Sequence, residues 1–92
     1  LLAIAAEVVG PERMLSYTLG DRNSFDGRFA PAIAAAHGVP HERIPIPADF
    51  YSQYAAAGVR RIDGMVIGHT CWRLAADSYL ERHPGWLVLN GW

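Results

Sequence analysis

The sequence is poor in several features, and each scarcity excludes a class of protein. Its 92 residues include a single cysteine, which excludes a disulfide framework and favours a reducing compartment, so we expect a cytoplasmic protein. All eight basic residues are arginine, they are balanced by nine acidic residues, and no basic run occurs. This balance argues against a nucleic-acid partner. Apolar runs approaching the roughly 20 residues that span a bilayer are also missing, so we expect no membrane partner.

The remaining composition is that of a folded domain. The chain is 51% hydrophobic and has a formal net charge of −1, which excludes a disordered tail, and its length allows one domain at most. Its opening on Leu1-Leu2, inside a helical pattern that lacks an N-cap, leads us to expect a piece of a larger domain.

Apolar runs separated by Gly and Pro predict strands that alternate with helices. In chain order we expect a helix over Leu1–Val9, a strand over Met14–Leu19, a helix over Phe25–Ala36, an edge-like strand at Ile44–Ile46, a helix over Phe50–Ile62, a helix from Leu74 to Arg82 capped by Thr70, and a strand over Trp86–Asn90. Pro31 predicts that the second helix begins late or bends. Such alternation is typical of an α/β fold with a parallel sheet.

Two positions qualify as ligand sites because open parallel sheets bind ligands beyond the carboxyl ends of their strands. Leu19-Gly20 follows the first predicted strand, and Asn90-Gly91 follows the last. Glycine lets a backbone approach a ligand closely, but a simple turn is the more common role. Asp63 opens a Gly-rich connection that is a candidate ligand loop, with a turn again as the commoner alternative.

Other residue types give weaker signals. His37 and His41 cannot share a helical face because Gly38 and Pro40 lie between them, so we expect no metal site and regard the four histidines as surface or capping residues. Cys71 has no base fixed nearby by the sequence and is interpreted as an inert thiol. Asp26 and Asp49 are interpreted as helix caps. The aromatic residues are interpreted as core or interface anchors: Phe25, Phe29, Trp72, Trp86 and Trp92.

The ordered spacing of several short segments resembles the synthetase domain of the asparagine synthase family, a branch of the ATP pyrophosphatases. The matching segments are Ser16–Gly20 with the family's F-T-V-G-F strand, Phe29–Gly38 with its Y-A-R-x-V-A…L-G helix, Pro47–Phe50 with P-E-D-F, Arg61–Asp63 with the acidic L-D-E-P turn, and Leu74–Arg82 followed by Val88–Gly91 with Y-L-L-S-x-x-A…V-L-S-G. The resemblance implies a partial Rossmann-like three-layer α/β/α fold with a parallel sheet, covering residues 1–92 as part of an adenine nucleotide alpha hydrolase-like domain.

The same resemblance implies an activity. Family members bind ATP with Mg²⁺, adenylate a carboxylate with release of pyrophosphate, and form an amide with ammonia that a glutamine-hydrolysing domain usually supplies. The expected partners are therefore a small-molecule or peptide carboxylate and a glutaminase domain. Magnesium and phosphate-binding amides would stabilise the charge that moves onto pyrophosphate.

Carried over by position, the family's nucleotide-binding residues fall on Leu19, Gly20, Asn90 and Gly91, with Leu19 contacting adenine through its backbone, and its acidic turn falls on Asp63. The family's S-G-G-x-D-S loop would precede Leu1, and its phosphate-facing lysine does not occur here. We therefore assign no catalytic residue and expect no catalysis from this piece alone. Asn90 and Trp92 depart from the family pattern, so the alternatives are a non-catalytic nucleotide-binding or scaffold relative and a doubly wound domain of unrelated chemistry.

Overall fold

The computed structural model describes residues 1–61, 65 and 74–89 of the chain. Their elements are the helix α1 (Leu2–Val9), a 3-10 turn (Pro11–Arg13), the strand β1 (Ser16–Leu19), the helix α2 (Phe25–Ala36), the strand β2 (His41–Ile44), the helix α3 (Phe50–Arg61) and the helix α4 (Asp77–Leu80). The described part is thus mixed α/β with a two-stranded parallel sheet, which confirms the predicted class. Within it, no helix is both long enough and apolar enough to cross a bilayer.

The first helix ends where the sequence predicts. Gly10 donates its amide hydrogen to the carbonyl of Ala6 at 3.1 Å and has φ 92°, a left-handed conformation that glycine adopts without steric cost. Pro11 then begins the 3-10 turn that leads into β1.

The sheet is a β-α-β unit in which β1 and β2 run parallel. Ser16 is in register with His41, and Leu19 is in register with Ile44. The prediction of a strand at 44–46 was therefore wrong in position, because β1 ends opposite Ile44 and offers no partner to the two residues after it. β1 is half-buried along its whole length.

Helix α2 begins at Phe25 rather than late. The Ser24 hydroxyl accepts a hydrogen bond from the Gly27 amide at 3.0 Å, so Ser24 is the N-cap, and Asp26 lies in the first turn instead of capping. Pro31 lies inside the helix, where it removes one backbone donor without ending it.

A small core joins α1 to the β-α-β unit. Ala6, Ala34 and Val39 are buried together, and Leu2 and Met14 pack against them. The small size of these side chains brings α1 close to the C-terminal end of α2.

Helix α4 contacts both the sheet and the end of α3. Asp49 directly precedes α3, as predicted, and its carboxylate accepts a hydrogen bond from the Gln53 side chain. α4 is shorter than the predicted helix from Leu74 to Arg82, and the cap predicted at Thr70 lies outside the described residues.

Three contacts hold α4 and the residues directly after it in place. Its Asp77 forms an ion pair with Arg61 at the end of α3. Its buried Tyr79 lies with its ring centroid 5.3 Å from that of Tyr17 in β1. Glu42, in register with Tyr17, lies 3.7 Å from the Arg82 guanidinium, so α4 covers the Tyr17 face of the sheet.

The predicted C-terminal strand is not found in residues 86–89. This segment is irregular, and Trp86, Leu87, Val88 and Leu89 are all exposed. A strand needs a hydrogen-bonded neighbour, and the described part of the chain supplies none to this segment. Its apolar composition alone was therefore an insufficient basis for the prediction.

Candidate functional site

The predicted residues Leu19 and Gly20 lie at the carboxyl edge of the parallel sheet. Hydrogen bonds of 2.9 Å run from the Ser16 amide to the Pro40 carbonyl and from the Gly20 amide to the Ile44 carbonyl. Backbone groups in a parallel ladder alternate in direction, so residues 16, 18 and 20 face β2. The N–H and C=O of Leu19 consequently face the opposite edge of β1, where the described residues provide no backbone partner.

Gly20 makes the edge accessible. Its φ is 114°, a conformation that residues with a side chain rarely adopt, and a Cβ built there would have no heavy atom of the described residues within 4 Å. The part of the chain that the structure describes thus leaves the space above this residue open. The glycine predicted to permit close backbone approach has both the conformation and the room to do so.

Arg43 completes the hydrogen bonding of Gly20. Its Nη1 donates to the Gly20 carbonyl oxygen at 3.1 Å. If the ladder continued, this oxygen would accept from the amide of Ile46, but β2 ends at Ile44. The Arg43 guanidinium therefore replaces the next ladder donor. Arg43 was not among the predicted site residues, because its contact with Gly20 depends on the position and register of β2.

The loop after Gly20 is folded back against the start of α2. The Asp21 carbonyl accepts hydrogen bonds from the Ser24 amide at 3.1 Å and the Ser24 hydroxyl at 2.6 Å, and the Asp21 carboxylate accepts from the Asn23 amide at 2.6 Å. Gly27 is buried beneath this loop, and a Cβ there would overlap the Asp21 carbonyl oxygen and lie 2.9 Å from Arg22 Cα. The loop is thereby held to the first turn of α2.

Three of the predicted site residues lie outside the described part of the chain. These are Asp63, Asn90 and Gly91. The structure therefore brings together Leu19 and Gly20, and their relationship to the other three stays a prediction.

The histidines differ in their surroundings. His37 is exposed and is the C-cap of α2, as interpreted from the sequence, whereas His41 is half-buried in β2 with Nδ1 2.8 Å from the Ser16 hydroxyl. Burial lowers the pKa of His41, and its Nε2 is buried without a hydrogen-bond partner among the described residues. Ser16 and His41 lie at the amino ends of their strands, so they do not join the carboxyl-edge site.

Tyr79 is the other titratable group with a shifted pKa. Burial raises the pKa of its phenol, the nearby Glu42 carboxylate raises it further, and the Arg82 guanidinium, 4.8 Å from the ring centroid, opposes both. These contacts belong to the packing of α4 on the sheet.

Phe25 and Phe29 are not core residues. Their rings contact each other with centroids 4.4 Å apart and planes tilted by 33°, but they are 74% and 46% exposed. The alternative role as interface anchors stays a prediction for both.

In residues 1–61, 65 and 74–89, no group of three or more His, Cys, Asp or Glu side chains is placed so that it could hold a metal ion. Comparison with known proteins adds no assignment: no protein-family model, no curated protein and no solved structure gives a significant match to this chain.

Proposed function

We propose that the carboxyl edge of the sheet binds the adenine ring of ATP and that the chain belongs to an ATP-dependent ligase resembling asparagine synthase. The observation that carries the proposal is the direction of the Leu19 peptide groups. Because the Gly20 amide is bonded to Ile44, the N–H and C=O of Leu19 face the edge opposite β2.

These two groups match the hydrogen-bonding edge of adenine. The ring presents an amino donor beside ring-nitrogen acceptors. A carbonyl and an amide on one strand residue offer the complementary acceptor and donor. Recognition of this kind needs no particular side chain, which agrees with an aliphatic residue at position 19.

The open space at Gly20 provides the approach. A nucleotide whose adenine lies against Leu19 must pass over the next peptide unit, and a side chain at position 20 would project into that space. The proposal includes a three-layer α/β/α fold around a larger parallel sheet, since open sheets of this kind bind nucleotides beyond the carboxyl ends of their strands.

When bound, ATP would supply the adenylyl group that activates a carboxylate, with pyrophosphate as the leaving group. The residues described here hold and orient the base. Because their donor set does not fit a metal ion, the proposal assigns none of them to Mg²⁺. The acceptor is a small-molecule or peptide carboxylate, and a glutaminase domain is the proposed ammonia source.

A backbone variant tests the proposal. Leu19→Pro removes the free N–H of Leu19, and β1 keeps its ladder to β2 because that amide is not part of it. Leu19→Val changes the side chain and keeps the amide, so it is the matched control. Adenosine, ATP and inosine are titrated into the ¹⁵N-labelled full chain while the amide resonances are followed.

We expect adenosine and ATP to shift the Leu19 and Gly20 resonances in the unaltered chain and in Leu19→Val. Inosine, whose donors and acceptors are reversed along this edge, should bind more weakly. Leu19→Pro should lose adenosine binding and keep a folded spectrum. A chain that shows no adenosine-dependent shifts at these positions would favour the scaffold alternative.

A further inference from the structure

We infer that Arg43 is a positioning residue of the proposed adenine site, acting through Gly20 and not by contact with the nucleotide. This inference rests on the proposed function and assigns a role to a side chain that the resemblance does not point to. Its starting point is the contact between the Arg43 guanidinium and the carbonyl oxygen of Gly20.

Gly20 is the last residue whose backbone is tied to β2. Its amide donates to the Ile44 carbonyl at 2.9 Å, and its carbonyl accepts from Arg43 Nη1 at 3.1 Å. The N–H and the C=O of Gly20 are thus both directed toward β2. The Gly20 amide shares its peptide unit with the Leu19 carbonyl, so its bond to Ile44 directs that carbonyl to the opposite edge. The Arg43 contact fixes the next peptide unit, between Gly20 and Asp21, which borders the Leu19 groups.

The Arg43 contact is needed because β2 stops early. Pro45 and Pro47 flank Ile46, and the chain does not continue beside Gly20 as a strand. Without the guanidinium, the Gly20 carbonyl would lose its protein donor among the described residues. The peptide between Gly20 and Asp21 could then rotate, since glycine adopts both signs of φ at similar cost.

Arg43 has no acidic partner among the described residues, where the ion pairs are Arg61 with Asp77 and Arg82 with Glu42. Within this part of the chain, no carboxylate therefore competes with the Gly20 carbonyl for the guanidinium. A hydrogen bond that involves a charged donor is also stronger than one between neutral groups.

The test compares three variants of the full chain by adenosine and ATP titration. Arg43→Met removes the donor, Arg43→Lys keeps a charged donor, and Arg13→Met removes a matching charge from the amino end of the sheet. Adenosine carries no phosphate, so its affinity reports the base-binding edge at Leu19 and Gly20 without any phosphate contact.

We expect Arg43→Met to weaken adenosine and ATP binding by the same factor, about five-fold for one lost hydrogen bond. Arg43→Lys should recover part of the loss, and Arg13→Met should match the unaltered chain. Thermal unfolding of Arg43→Met and Arg13→Met should be alike, which separates positioning from general stability.

Other outcomes overturn the inference in distinguishable ways. Unchanged adenosine affinity in Arg43→Met, while the unaltered chain binds adenosine, refutes the role of Arg43 and leaves the proposed function standing. A loss confined to ATP shows direct phosphate contact and also refutes it. No binding of either ligand by the unaltered chain refutes the proposed function, and the role of Arg43 with it.

Discussion

The amide of Gly20 donates a 2.9 Å hydrogen bond to the carbonyl oxygen of Ile44, and this bond determines which way the neighbouring peptide groups of Leu19 face. A shift of one residue in the parallel register would turn the Leu19 groups toward β2 and remove them from the free edge. The candidate site is therefore a consequence of strand pairing, and the side chain at position 19 has little part in it.

Replacement of Gly27 tests the close approach between the Asp21 loop and α2. Helix propensity alone predicts that Gly27→Ala stabilises the chain by up to about 1 kcal/mol. The structure predicts the opposite sign, because the new Cβ overlaps the Asp21 carbonyl oxygen, and relieving such overlap typically costs about 1–3 kcal/mol.

Urea denaturation of Gly27→Ala measures this effect, with Arg28→Ala as the control. Arg28 is exposed at the next position of α2, so its replacement should change stability by less than about 0.5 kcal/mol. A Gly27→Ala variant more stable than the parent would show that the loop does not approach the helix as described.

The cap at Ser24 gives a second stability prediction. Ser24→Ala removes the acceptor for the Gly27 amide and the donor to the Asp21 carbonyl, so we expect a loss of about 1 kcal/mol. Ser24→Asp restores an acceptor and should recover most of it. Ser78→Ala, at an exposed position of α4, should be close to neutral in the same denaturation experiment. Equal effects of the Ser24 and Ser78 substitutions would contradict the assignment of the cap.

The burial of His41 predicts a pH dependence of folding. Burial lowers the pKa of His41 from its ordinary value of 6.5 in the folded chain, so the unfolded chain binds more protons between the two pKa values. This contribution to stability is fully present above pH 6.5 and is lost as the pH falls through 6.5 toward the folded pKa.

Denaturation between about pH 8 and about pH 5 follows this loss. His41→Gln should reduce the decline in unfolding free energy at low pH, whereas His37→Gln, at an exposed helix end, should retain it. An identical pH profile for His41→Gln and the parent chain would refute the assignment to His41.

Much of the local structure could be predicted from short-range signals. The end of α1 follows from Gly10-Pro11, the approximate span of α2 from its apolar spacing, and the start of α3 from Asp49, because caps and breakers act within one turn of helix. The Ser24 cap was not predicted, and the expectation of a late start for α2 gave Pro31 too much weight.

Strand positions depended on partners distant in the sequence and were predicted less well. His41-Glu42-Arg43 reads as polar, yet it forms β2 because β1 lies beside it. Trp86–Leu89 reads as a strand, yet it is irregular and exposed. The role of Leu19 and Gly20 at a strand end was accessible from the sequence, whereas the Arg43 contact across the sheet required the register.

The central claim is that adenine binds at the Leu19–Gly20 edge, and photolabelling tests it most directly. The full chain is irradiated with 8-azidoadenosine, digested with trypsin and analysed by mass spectrometry. Because arginines stand at positions 13 and 22, the edge is contained in the single tryptic peptide spanning residues 14–22. We predict that this peptide carries the label and that unmodified ATP suppresses it. Labelling confined to other peptides, or labelling of residues 14–22 that ATP does not reduce, would contradict the account.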